Sequence, residues 1–218
     1  MLMEPHGGQT VEQWGAPLGE SPAVMIMVHG RNAAPRNILD VARVLGRPHF
    51  THLAPAAAGG TWYPYTFMAE TERNEPGLSS ALAMLADLVD RVVEQGILRE
   101  HIVLLGFSQG ACLTAEFAAR NAQRFGGVVA YSGGLIGPPG TTWEYPGSFD
   151  GTSVFLGCSD VDSHVPLVRV NESAAVFERM GASVTKRIYP GMGHLVNRDE
   201  LAFVQKLMEN VLETTTGV

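Results

Sequence analysis

Ile102-Val103-Leu104-Leu105-Gly106-Phe107-Ser108-Gln109-Gly110-Ala111 is the stretch on which the reading of this chain turns. Ile102 to Phe107 is an apolar run of strand length with no polar alternation, as expected of a strand buried on both faces of a largely parallel sheet. Ala111 to Ala119 then has the composition of a helix. Between the two stands G-x-S-x-G, placed at the strand-to-helix turn that an exposed nucleophilic serine requires. Such a serine is held in a strained backbone conformation, so only small residues fit two positions away on either side. Gly106 and Gly110 occupy those positions. The plain alternative is an ordinary glycine-containing turn. A phosphate site is disfavoured, because G-x-G-x-x-G and a P-loop lysine are both absent.

The same rhythm extends in both directions from this turn, and it defines an α/β chain. Upstream, Ala23 to Val28 is a continuous apolar run closed by His29-Gly30, Pro35 to Leu45 reads as a helix, and Phe50 to Ala54 as a short strand. Pro55 to Pro76 is a long loop rich in aromatics: Trp62, Tyr63, Tyr65 and Phe67. Loops of that length are usually functional or mobile. From Leu78 to Gly96, apolar residues at Ala81, Leu82, Leu85, Leu88, Val89 and Val92 mark an amphipathic helix. Downstream, strands are expected at Gly127 to Tyr131, Val154 to Leu156 and Ser183 to Tyr189, with helices at Val165 to Met180 and Arg198 to Leu212. Gly133 to Asp150 is a second long loop whose five Gly and three Pro leave no room for a helical lid.

A chain of 218 residues suits one domain, here 1–218, with residues 1–20 read as a partly extended lead-in. Fifteen Lys+Arg against 22 Asp+Glu give a net charge of -7, which offers no field for nucleic acid or for an anionic membrane surface. Two cysteines, Cys112 and Cys158, form neither a disulfide framework nor a CxxC pair. With no basic start followed by an apolar run, the composition reads as cytoplasmic. No His/Cys/carboxylate cluster has metal-ligand spacing, so neither a metal nor another cofactor is expected. A monomer and a homodimer are both left open.

A serine hydroxyl needs a base, and histidine, with an ordinary pKa of about 6.5, suits that role near neutral pH. Of seven histidines, His6 falls in a start read as disordered, His49, His52 and His101 precede or lie within strands, and His29 belongs to a strand-end pair. His194 differs, because it follows the glycine-rich Tyr189-Pro190-Gly191-Met192-Gly193 directly after the last strand. The imidazole in turn needs a carboxylate. Asp160 and Asp162 both qualify, and spacing does not choose between them. An oxyanion needs backbone N–H donors, one from the residue after the nucleophile and one from an earlier loop. Gln109 supplies the first, and Arg31, in His29-Gly30-Arg31-Asn32, the second.

Taken together, these residues resemble the phospholipase/carboxylesterase family of α/β-hydrolases, the small esterases related to acyl-protein thioesterases, over about Ala23 to Leu212. The resemblance rests on His29-Gly30, Gly106-Phe107-Ser108-Gln109-Gly110, Tyr131-Ser132-Gly133, Asp162-Ser163-His164-Val165-Pro166 and Gly191-Met192-Gly193-His194. It implies the α/β-hydrolase fold, a mostly parallel sheet of six or seven strands with helices on both faces and no lid. The triad aspartate of the family stands three residues before Val-Pro, which implies Asp162. A family tryptophan after the second strand implies Trp62. The chain departs from the pattern at Asn32-Ala33, where Gly-Asp is usual, and at Gly157-Cys158, where His-Gly is usual.

The expected activity is hydrolysis of carboxylic esters of short to medium acyl chains through an acyl-Ser108 intermediate. Thioesters are the chemical alternative, and a non-catalytic binding protein on the same fold is the functional one. Trp62, Tyr63, Tyr65 and Leu135, with Phe67 and Trp143 beside them, are the expected substrate-binding walls.

Overall fold

The computed structural model describes residues 4–215; the outermost residues of the single-domain reading, 1–3 and 216–218, lie outside the described residues. The strands are β1 (Val11–Gly15), β2 (Val24–Val28), β3 (Thr51–Pro55), β4 (Ile102–Phe107), β5 (Gly127–Tyr131), β6 (Ser153–Ser159) and β7 (Ser183–Tyr189). The helices are α1 (Pro35–Leu45), α2 (Gly77–Glu94), α3 (Gln109–Arg120), α4 (Leu167–Arg179) and α5 (Arg198–Thr215). The strands form one seven-stranded sheet in the order β1-β3-β2-β4-β5-β6-β7. All neighbours are parallel except β1 and β3.

The apolar runs lack alternation because the sheet is covered on both faces. Val24, Ile26 and Val28 pack with α2, α3 and α4 on one side, while Met25 and Met27 pack with α1 and α5 on the other. Ile102 and Leu104 of β4 divide from Val103 and Leu105 in the same way. Residues 132–152, between β5 and β6, contain no helix, as the glycine and proline content requires.

The structure adds to or corrects the expected elements as follows. β6 continues through Gly157, Cys158 and Ser159, because its last residues pair with Ile188 and Tyr189 of β7. β1 is a short antiparallel edge strand whose half-exposed pattern carries no continuous apolar signal. His6 is buried rather than disordered: its Nδ1 accepts the Ala58 N–H at 3.0 Å and its Nε2 donates to the Trp62 carbonyl at 2.9 Å.

Candidate active site

Parallel strands end at one edge, so the loops after β2, β4, β6 and β7 all open on the same side of the sheet. Ser108 stands at the end of β4 with φ 56 and ψ -122, a conformation that L residues rarely adopt. Its N–H donates to the Tyr131 carbonyl of β5 at 2.9 Å, and α3 begins at the next residue. The flanking glycines are required by close backbone approach. A Cβ on Gly106 would overlap the Gly110 carbonyl, and one on Gly110 would overlap the carbonyls of Val28 and His29.

The Ser108 Oγ lies 2.8 Å from His194 Nε2, and His194 Nδ1 lies 2.7 Å from Asp162 Oδ2. The Asp162 side chain has no exposed surface. Its Oδ1 accepts the N–H groups of His164 at 2.8 Å and Val165 at 3.0 Å. Burial pushes the Asp162 carboxyl up, but the bonds from His194, His164 and Val165 outweigh it and hold the group below its ordinary value. The carboxylate is therefore ionised where it faces the imidazole. Asp160 instead accepts the Gly191 N–H at 2.8 Å, and the Ser159 hydroxyl accepts that of Gly193 at 3.0 Å. These two bonds fasten the loop that carries His194. Cys112, one helical turn beyond Ser108, is buried, and burial pushes its thiol up to about 12.

Gly30 lies against the elbow, since a Cβ there would stand 3.3 Å from Ser108 Cβ. Arg31 and Gln109 both line the cleft. Neither backbone N–H has a hydrogen-bond acceptor among the described residues. The Arg31 side chain is not a loose surface charge: its guanidinium donates to the carbonyls of Tyr63, Pro64 and Tyr65.

Residues 16–212 match the Phospholipase/Carboxylesterase family. This chain belongs to that family. A solved phospholipase/carboxylesterase from Dyadobacter fermentans is 38% identical, with a TM-score of 0.89 over 97% of this chain and 100% of that one. A probable carboxylesterase, SOBER1-like, from Arabidopsis thaliana is 23% identical over 68% of this chain, which spans 57% of that relative's length. Acyl-protein thioesterase 1 of Saccharomyces cerevisiae is 27% identical over 75% of this chain and 77% of its own.

In this chain the serine opens on a cleft of about 910 Å³. Tyr63, Tyr65 and Phe67 line it, and Ile38, Val41, Leu195 and Val196 supply further apolar surface. Three expected wall residues are elsewhere. Trp62 is fully buried, with its indole N–H on the His29 carbonyl at 2.8 Å, and it pins the aromatic loop to the body. Leu135 is also fully buried, with its N–H on Ser173 Oγ and its carbonyl on Arg169. Trp143 is likewise packed under the Arg169 guanidinium, 4.8 Å from its ring. These side chains turn inward because the loops that carry them must bury apolar surface of their own.

His164 is a cleft residue that the sequence reading passes over. Its ring meets His194 edge-on at 4.7 Å. Only its place directly after Asp162-Ser163 could have signalled it. Among the described residues, no group of three or more His, Cys, Asp or Glu could hold a metal ion. No helix among them is long and apolar enough to cross a membrane.

Proposed function

We propose that this protein hydrolyses carboxylic esters of short acyl chains by acyl transfer to Ser108. The observation that carries the reading is the unbroken hydrogen-bond chain from Ser108 Oγ through His194 to Asp162. Membership of the phospholipase/carboxylesterase family supports it.

In this reading His194 Nε2 takes the Ser108 proton as Oγ attacks the acyl carbon, and Asp162 stabilises the resulting imidazolium. The carbonyl oxygen becomes an oxyanion and is received by the N–H groups of Arg31 and Gln109. The imidazolium then returns its proton to the departing alkoxide, leaving an acyl-serine ester. Water, deprotonated by the same imidazole, attacks that ester, and the imidazolium returns the proton to the departing Ser108 Oγ, which frees the carboxylic acid and restores the serine. Tyr63, Tyr65 and Phe67 give the acyl chain apolar contact.

The yeast relative named acyl-protein thioesterase 1 favours a second substrate, a thioester, which the same steps would cleave. Turnover of an oxygen ester and a thioester with the same acyl chain separates the two.

Labelling by a fluorophosphonate probe tests the mechanism. Wild-type protein should be labelled at Ser108, and Ser108→Ala should remain folded, unlabelled and inactive. His194→Ala should lose a similar amount of turnover. The double variant should lose little more, since residues of a triad act as a unit. Wild-type turnover by Ser108→Ala would end the serine reading.

A further inference from the structure

Arg31 and Gln109, the residues whose backbone N–H groups are proposed to receive the oxyanion, also use their side chains, and both side chains reach the same atom. Arg31 lies in the loop after β2 and Gln109 at the start of α3, on separate segments. The Arg31 guanidinium donates to the Tyr63 carbonyl at 2.9 Å, and the Gln109 side-chain amide donates to it at 2.7 Å. One carbonyl oxygen has two lone pairs, so this acceptor is fully used.

Each residue adds further bonds to the same loop. Gln109 Oε1 accepts the Trp62 N–H at 3.1 Å, and its own carbonyl accepts the Tyr63 hydroxyl at 3.4 Å. Arg31 also donates to the carbonyls of Pro64 at 2.9 Å and Tyr65 at 2.6 Å. The neighbouring Asn32 N–H donates to Gly60 at 2.8 Å. No carboxylate pairs with Arg31 among the described residues, so its charge is spent on backbone carbonyls. Charge-assisted bonds of this kind are roughly twice as strong as neutral ones.

We infer that the side chains of Arg31 and Gln109 are positioning residues for ester hydrolysis, which set the spacing of their own backbone N–H groups by anchoring both to the Tyr63 carbonyl. This rests on the serine-esterase reading above. Two donors from separate loops serve one oxyanion only if both lie about 2.7–3.1 Å from it. A shared anchor fixes that spacing without a direct bond between the loops. The anchor is also the backbone of a cleft wall, since Tyr63 and Tyr65 line the cleft. The wall that holds the substrate and the donors that receive its oxyanion are thereby one unit. Lysine could not replace Arg31, because a compact ammonium lacks the planar fork that spans three carbonyls.

The test uses side-chain variants that leave the backbone N–H groups in place. Arg31→Met and Gln109→Met should each lower kcat on a 4-nitrophenyl ester about tenfold or more, below the 10²–10³ of a donor removed outright. KM should change less than about threefold, because the interaction gained is with the transition state rather than the bound ester. The affinity of an alkyl boronic acid, whose serine adduct places an oxygen between the donors, should fall in step with kcat/KM. The double variant should lose little beyond the worse single one, since both act through one carbonyl. Arg31→Lys should not restore kcat, whereas added guanidinium should partly restore Arg31→Ala.

Wild-type kcat in both methionine variants, or a change confined to melting temperature or KM, would overturn the proposal. If Gln109→Met does not fold, the exposed Arg31 variants decide the matter by the same readouts. Ser108→Ala separates the two levels. If it is inactive while Arg31→Met and Gln109→Met keep full kcat, the positioning role fails alone. If it retains turnover, the esterase reading fails first.

Discussion

The Asp160 carboxylate accepts the backbone N–H of Gly191 at 2.8 Å, and so grips the loop that carries His194 without touching the imidazole. Two positions on, Asp162 reaches His194 Nδ1 directly. The two carboxylates do different work from one short loop. Asp162→Asn should therefore lower kcat by about 10⁴, the scale known for such a change in a triad. Asp160→Asn keeps an oxygen for Gly191 and should cost less than about tenfold on the same reasoning. Steady-state kinetics on one chromogenic ester measure both, and a reversed order would give Asp160 the role proposed for Asp162.

Gly110 faces the carbonyls of Val28 and His29 so closely that a Cβ would overlap them. Backbone cannot yield there without moving β2 away from the elbow. Gly110→Ala should lose about 3 kcal/mol or more, at or beyond the upper end for overpacking, and turnover should fall with it. Thermal melts and soluble yield report this. A stable, active alanine variant would show that the elbow does not need the close approach.

Glu200 is buried at the start of α5, where its Oε2 accepts the Asn197 N–H at 2.8 Å and its Oε1 has no partner among the described residues. Burial raises its pKa from 4.5 to about 7. The folded state thus holds a proton that the unfolded state has released, and stability falls as pH rises from about 4.5 to about 7. Glu200→Gln keeps the acceptor oxygen and carries no charge. Its melting temperature relative to wild type should rise between pH 5 and pH 8. A difference that does not vary with pH would show that this carboxyl ionises as freely as an exposed one.

Acyl-chain preference should follow the cleft wall. Each CH₂ buried against Tyr63, Tyr65 and Phe67 adds about 0.8 kcal/mol of binding, but only as far as the wall extends. Over a series of 4-nitrophenyl esters, kcat/KM should rise and then fall, with its maximum at roughly two to six acyl carbons on this per-methylene reasoning. A maximum beyond about ten carbons would require a longer apolar groove than these residues make.

Much of this was legible in the sequence because it depends on residues close together in the chain. The buried strands showed as unbroken apolar runs, and α1, β4, β5 and β7 lie at the expected residues. The elbow showed because its constraint is local: glycine two residues either side of Ser108, where strand gives way to helix. His194 stood out by its position after the last strand. Side-chain direction was not legible. Trp62 and Leu135 sit in loops with the composition of a binding wall, yet both turn into the body.

The sequence by itself determined the order of strands and helices from β2 onward, the elbow at Ser108 and a histidine in the loop after the last strand. These follow from steric and hydrophobic preferences that act over a few residues. Spacing left Asp160 and Asp162 open and the family resemblance implied Asp162; the folded chain puts Asp162 on His194, and it alone brings the side chains of Arg31 and Gln109 together on Tyr63. Those pairings join residues 32 to 46 positions apart. At such separations the path of the folded chain, rather than local preference, decides which polar group meets which.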